Sequence, residues 1–328
     1  MNQQDQKNHN QLEILYALRA QDRVSQAEIS SHLGLQPSTV SNLMGEIRSA
    51  GMVRTVAKGN SGSTGGKKAD LLSLDPEYGC FGGVYLQNGV LTCKVLDFQE
   101  GILEEGRIGA SFLEGAQMAD ALSQAIKRHR DHFPRYRGVG IAVSSIVTHT
   151  GDIVPSSFFE GSFPHILGTL REQYPELAIV AENDANSLVY YDYIKSRRSC
   201  ANILHLLVRE NPFTIGAGLI LDGRIYRGKS GAAGEIPEGI IDGADHADAV
   251  LRLVQSIRQF LDLEIVYVSA AQGSELANAL HQRPVEPDVP AVLIGNNANA
   301  VNGAAMLAMQ MHIEHLEKLP LAGRNRRK

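Results

Sequence analysis

Cysteine is scarce. The 328 residues hold only Cys80, Cys93 and Cys200, and no CxxC or Cys/His spacing joins them. That excludes a disulfide framework or a structural zinc of the usual spacing and fits a reducing compartment. No basic start leads into an apolar run at the N-terminus, and no stretch approaches the roughly 18 apolar residues of a membrane span. A soluble, cytoplasmic chain with no membrane partner is therefore expected. A large basic excess is missing too: with a net charge of −5 the molecule cannot coat nucleic acid, so any contact with DNA must come from a local patch. What is present, 43% hydrophobic residues, suffices for the cores of about two domains.

The first 75 residues carry a slight basic excess against an acidic remainder. Leu12, Ile14, Leu15 and Leu18 repeat at helical spacing. Ala27, Ile29 and Leu33 mark a second helix, opened by the capping signature Ser25-Gln-Ala-Glu28 and stopped at Gly34. Pro37 stands where the first residue of a third helix tolerates proline, and Val40, Leu43 and Ile47 are spaced for burial. Such a helix exposes Ser38, Thr39, Ser41, Asn42 and Arg48, short polar groups near a helix start that can reach base edges, with an arginine behind them. Met52 to Lys58 and Leu71 to Leu74 read as strands flanking a Gly/Ser-rich basic loop. Lys58, Lys67 and Lys68 are the candidate phosphate contacts. Each piece alone also fits a generic bundle or a linker, but their order is that of a winged helix-turn-helix over residues 1–75.

From Gly79 onward strands alternate with helices. Phe81 to Val84, Val90 to Leu96, Gly138 to Val143, Ala178 to Ala181, Ile203 to Val208 and Gly218 to Leu221 read as strands; Gln117 to His132, Ile166 to Gln173 and Val301 to Lys318 read as helices. Ala181-Glu-Asn-Asp-Ala-Asn186 follows a strand, where ligands of α/β proteins bind. Asp184 there could take a proton from a hydroxyl and Asn183 could donate and accept, although an Asx turn capping the next helix uses the same residues. Glu235 follows the closely spaced glycines of Gly231-Ala-Ala-Gly234, which let backbone approach a ligand; a solvated loop acid is the alternative. His246, between Asp245 and Asp248, is expected in a solvated loop rather than at a metal.

Together Glu182-Asn-Asp-Ala-Asn186, Gly216 to Gly228, Gly231-Ala-Ala-Gly-Glu-Ile236 and Gly303-Ala-Ala-Met-Leu-Ala308 resemble the ROK family of repressors, open reading frames and sugar kinases. The resemblance implies a two-lobed, actin-like sugar-kinase domain over 76–328, with lobe one at about 76–190 plus 300–328 and lobe two at about 191–299. It implies that Asp184 matches the kinase base and that Asn183 and Glu235 bind sugar. Glu238 stands where a histidine would touch both sugar and metal, and Gly65-Gly-Lys-Lys68 stands where repressors often have Gly-Gly-Arg-Pro. The departures matter equally. Tyr85-Leu-Gln-Asn-Gly89 replaces the Asp-x-Gly-Gly-Thr loop that holds Mg-ATP phosphates, Pro212-Phe-Thr214 replaces the second phosphate loop, and Val268-Ser-Ala-Ala271 is what remains of a third glycine-rich segment. The cysteine-rich zinc loop is absent, so neither metal nor cofactor is expected. With no tryptophan in the chain, Phe158 or Phe159 is left to face a pyranose ring. The expectation is a non-enzymatic transcriptional regulator, probing operator DNA as a homodimer or dimer of dimers and sensing a sugar or sugar derivative. A ROK sugar kinase, or a DNA-binding protein whose second domain only dimerises, are the alternatives.

Overall fold

The computed structural model describes residues 3–59, 68–87, 90–109, 115–154, 166–210, 213–237, 245–270, 274–282, 292–295 and 297–315. Three helices, α1 (Gln3–Ala20), α2 (Gln26–Leu33) and α3 (Pro37–Ser49), precede the strands β2 (Val53–Lys58) and β3 (Asp70–Leu74), while the two-residue β1 (Val24–Ser25) completes a sheet of order β1-β3-β2. The signals read from the sequence act as anticipated. Ser25 accepts from the Glu28 amide at 3.2 Å while Glu28 accepts from the Ser25 amide at 2.7 Å, and Gly34 ends α2 in the left-handed region at φ 62°. Ile14, Leu15, Leu18, Ile29, Val40, Leu43 and Ile47 are buried together.

Two five-stranded sheets follow. The first has order β6-β5-β4-β7-β8, from β4 (Cys80–Gln87), β5 (Val90–Asp97), β6 (Ile102–Gly109), β7 (Tyr136–Val143) and β8 (Ala178–Asn183). An antiparallel meander β4 to β6 is extended by β7 and β8, which run parallel to β4. The second has order β11-β10-β9-β12-β13, from β9 (Ile203–Glu210), β10 (Phe213–Leu221), β11 (Arg224–Ile225), β12 (Ile265–Ser269) and β13 (Val292–Gly295). Helices α4 (Gly115–His132) and α5 (Ile166–Gln173) belong to the first half, and α7 (His246–Leu261) and α8 (Glu275–Gln282) to the second.

Between the halves lie α6 (Asp184–Lys195) and α9 (Ala300–Glu314), both mostly buried. Their crossing is close: a Cβ at Gly303 would stand 1.8 Å from the Ser187 carbonyl oxygen, so no larger residue fits there. The far end of α9 enters the core of the N-terminal module, where Ala308, Met309 and Ile313 share one apolar cluster with Ile14, Leu72, Phe81 and Phe98. The module is thus joined to the rest of the molecule by a common core.

The reading of a loop around His246 is corrected. His246 opens α7, whose start is capped by Asp245 accepting from the Ala247 amide at 2.9 Å, and its ring stacks on Phe213 at 3.8 Å between centroids. The strand β6 also went unread, because its pattern of mostly exposed residues carries no apolar alternation.

Candidate functional site

On α3, Ser38, Ser41, Asn42 and Arg48 are exposed and Thr39 is half-buried. Ser41 and Asn42 follow Ser38 by three and four positions, which puts the three on one stripe opposite the buried Val40, Leu43 and Ile47. Arg48 donates to the Thr55 hydroxyl at 3.4 Å, tying the end of this helix to β2. The acid on the same helix, Glu46, is drawn toward α1 by Lys7 at 2.8 Å and Gln11 at 2.7 Å, which offsets its repulsion of a polyanion. Lys58 is ion-paired with Asp70 across the hairpin, and Lys68 is exposed. Lys67 lies outside the described residues.

The second site gathers where β4, β7 and β8 end. Asp184 opens α6 and is 2% exposed. Its Oδ2 accepts from the Ser144 hydroxyl at 2.6 Å, from the Tyr85 hydroxyl at 3.1 Å and from the Arg209 guanidinium, while Oδ1 takes the Ala185 amide at 2.9 Å. Arg209 also donates to the Ser144 hydroxyl at 3.0 Å. Tyr85 and Ser144 come from the first half, Asp184 from the start of α6 between the halves and Arg209 from β9 of the second, so this cluster clasps the two halves. Burial would lower the Arg209 guanidinium, but Asp184 and Tyr85 outweigh it and hold the cation above its ordinary value. The Tyr85 hydroxyl is raised by burial and by the Asp184 charge, which keeps it a donor.

Asn183 caps α6. Its side-chain oxygen accepts from the Ala185 and Asn186 amides at 2.9 and 3.2 Å, and its amide group donates to the Ser145 carbonyl at 3.1 Å. This is the Asx-turn role that the sequence left open. Beneath it, buried Glu182 accepts from Arg227 at 2.6 and 2.8 Å and from Asn186 at 3.0 Å. Glu235 pairs by backbone with Gly216 and is reached by solvent. Its carboxyl is nonetheless lifted above the usual carboxylate range by desolvation and by Asp184, with Arg209 pulling the other way. The preceding Gly234 sits at φ 93°, and a Cβ there would stand 1.8 Å from the Ala217 carbonyl oxygen. The structure therefore brings Glu235 close enough to Asp184 for their charges to interact, with Asn183 at the adjoining helix cap. Glu238, Phe158, Phe159 and Pro212 lie outside the described residues.

Arg209, Ser144, Glu182 and Arg227 were not read from the sequence as site residues. The available signal was the arginine at the end of the otherwise apolar Ile203-Leu-His-Leu-Leu-Val208 run, since a charge on a buried strand needs a partner. A third cluster, Asp192, His205 and Ser269, has the residues of a hydrolase triad, with His205 Nε2 2.7 Å from the Ser269 hydroxyl and Nδ1 bonded to Asp192. Ser269 has no exposed surface, so no substrate reaches it; the cluster bonds α6, β9 and β12 together.

Comparison with known proteins bears on both halves. The ROK family model matches residues 89–247, and a winged helix-turn-helix DNA-binding model matches residues 7–54. The chain is similar to the ROK family over just under half of its length. A xylose repressor of Staphylococcus xylosus is 26% identical over 236 residues, covering 71% of this chain and 61% of the repressor. The chain thus aligns with about three fifths of the length of that curated relative. The crystal structure of a ROK family transcriptional regulator, a homologue of the Escherichia coli MLC protein, superposes with a TM-score of 0.71 at 12% identity, over 95% of this chain and 98% of that one. A ROK family glucokinase from Streptomyces griseus, solved with glucose and AMPPNP, superposes with a TM-score of 0.55 at 16% identity, over 71% of this chain and all of its own. These ROK structures share the fold; the site decides between them.

Proposed function

We propose that this chain is a DNA-binding transcriptional regulator, of repressor type, that senses a sugar or sugar derivative in a cleft at Asp184 and does not phosphorylate it. The observation that carries the reading is the occupancy of Asp184. A base must have a lone pair facing the hydroxyl it deprotonates, and here one carboxylate oxygen holds three protein donors while the other caps its own helix. Tyr85 stands where a phosphate-binding carboxylate would be needed, and Phe213 and His246 stack where the second phosphate loop would run.

On this reading residues 1–75 are the DNA-binding domain and 76–328 the sensor. Ser38, Thr39, Ser41, Asn42 and Arg48 face the major groove; Lys58, Lys67 and Lys68 meet phosphate. Asn183, Asp184, Glu235 and Glu238 belong to the ligand cleft. A ligand hydroxyl competes with Arg209 for Asp184, which alters the clasp between the halves. Helix α6 carries the change about 18 Å, 12 residues at about 1.5 Å each, to its far end. There Arg197 pairs with Asp22 at 2.7 Å, and Arg198 lies 4.0 Å from the Tyr16 ring on α1. One recognition helix reads one half-site, so a homodimer, or a dimer of dimers, reading a palindrome is the expected assembly.

The test pairs two assays on the intact chain. Fluorescence anisotropy with the DNA upstream of its own gene is expected to show saturable binding that random duplex does not compete. Calorimetry with magnesium and a non-hydrolysable ATP analogue is expected to show no saturable heat. Sugar-dependent ATP turnover would instead make the chain a kinase.

A further inference from the structure

A cleft of about 510 Å³ lies between the DNA-binding module and the first half of the ROK domain, far along α6 from the Asp184 cluster. Its volume is that of a small-ligand site. From the module it is lined by Arg19, Asp22, Arg23, Arg54 and Ser73, and from the other side by Gln99, Glu100, Lys195 and Arg197. Five cations thus face two acids in a chain whose net charge is −5. Both acids are already engaged. Glu100 is held by Arg19 at 2.7 Å and Lys195 at 2.9 Å, and Asp22 by Arg197 at 2.7 Å. Arg23 and Arg54 are exposed and have no ion pair among the described residues.

Two independent features suggest an unfilled requirement. Arg19, with its side chain 2% exposed, leaves one terminal nitrogen, Nη2, without an acceptor among the described residues, an unfavourable state for a buried guanidinium. Glu100 and Arg197 are held in the left-handed backbone region at φ 69° and 57°, and both line the cleft. The cleft does not serve α3. Register pairs Arg54 with Ser73, on the sheet face opposite the buried Val53, Leu72 and Leu74 that pack under the helices. Gln99 donates to the Ser73 hydroxyl at 2.8 Å from the ROK side, so this face of the wing is turned inward.

We propose that this cleft is a second ligand site, taking a small anion bearing phosphate or carboxylate groups, with Arg23 and Arg54 supplying its unpaired charge and Arg19 its floor. An occupant there touches both the DNA-binding module and the end of α6, so it sets the position of one against the other independently of the sugar cleft. Paired guanidinium forks suit either anion, and the two are separable by probe.

The experiment is isothermal titration of the full chain, without DNA, by pyrophosphate and by citrate at constant ionic strength. At least one is expected to bind saturably. Arg54→Glu is expected to weaken it tenfold or more, and Arg54→Lys to retain most of the affinity. Because Arg54 is exposed, thermal midpoints without anion should match, which excludes misfolding. Absence of saturable binding by both anions, or equal affinity in wild type and Arg54→Glu, overturns the proposal. None of these readouts depends on sugar sensing.

Discussion

At the scale of residues, the recognition stripe makes the sharpest claims. Asn42→Ala should cost about 1 to 3 kcal/mol on the cognate DNA and little on random duplex, because an amide that reads a base edge carries sequence information. Lys68→Ala should weaken all duplexes alike and lower the slope of log affinity against log salt by about 1. Equal losses on both DNAs for Asn42→Ala would remove it from the base readers. A second residue, His312, sets a pH limit on the fold. It is buried between Tyr78 and Phe81, 2.9 Å from the Tyr78 hydroxyl, and burial, aided by Arg137, depresses it to about 3. The folded state therefore holds the ring neutral where the unfolded chain would protonate it. This stability is complete above the ordinary histidine value near 6.5 and is lost as pH falls from there toward 3. At pH 5 the loss is about 2 kcal/mol. Thermal midpoints measured from pH 7.5 to 5 should fall more steeply for wild type than for His312→Phe; parallel curves would contradict the assignment.

At the scale of elements, α6 matters most, because polar clusters fix it at both ends and at its middle. Asp184 and its donors hold the start, the Asp192–His205–Ser269 cluster the middle, and Arg197 the end. Removing His205 leaves a buried carboxylate without its partner, so His205→Ala should destabilise by about 3 kcal/mol in denaturant melts. Asp22→Asn, at an exposed pair, should change stability by less than about 1 kcal/mol while weakening the coupling between ligand and DNA. Unchanged coupling would mean that α6 does not communicate through this contact.

The elements themselves were largely legible. Capping boxes, a proline at a helix start and strand-length apolar runs are local signals, and α2, α3, β4, β5, β7 and α5 appear where those signals stand. The misses have physical reasons. Strand β6 is exposed along most of its length and is held by pairing with β5, which no local pattern announces. Helix α7 was hidden because its N-cap aspartate and His246 read as loop chemistry. The candidate site was legible only by halves: Asp184, Asn183 and Glu235 stand in recognisable motifs, whereas Arg209 reaches Asp184 from 25 positions away, across the junction of two separate sheets.

At the scale of the whole molecule, the shared core around Phe98, Met309 and Ile14 means that the module moves only with, or against, the ROK domain. A ligand can act on DNA binding only if it binds two arrangements of these parts with different affinity. The most direct measurement is therefore anisotropy of the cognate duplex with the intact chain, titrated with a panel of neutral sugars and sugar phosphates, in wild type and Asp184→Asn. At least one sugar is expected to shift the DNA affinity of the wild type by about fivefold or more, the lower range of allosteric coupling. Asp184→Asn is expected to bind DNA normally without ligand and to lose most of that shift. A full response in Asp184→Asn, or no response to any sugar in a wild type that binds the duplex, would contradict a sugar-sensing cleft at Asp184.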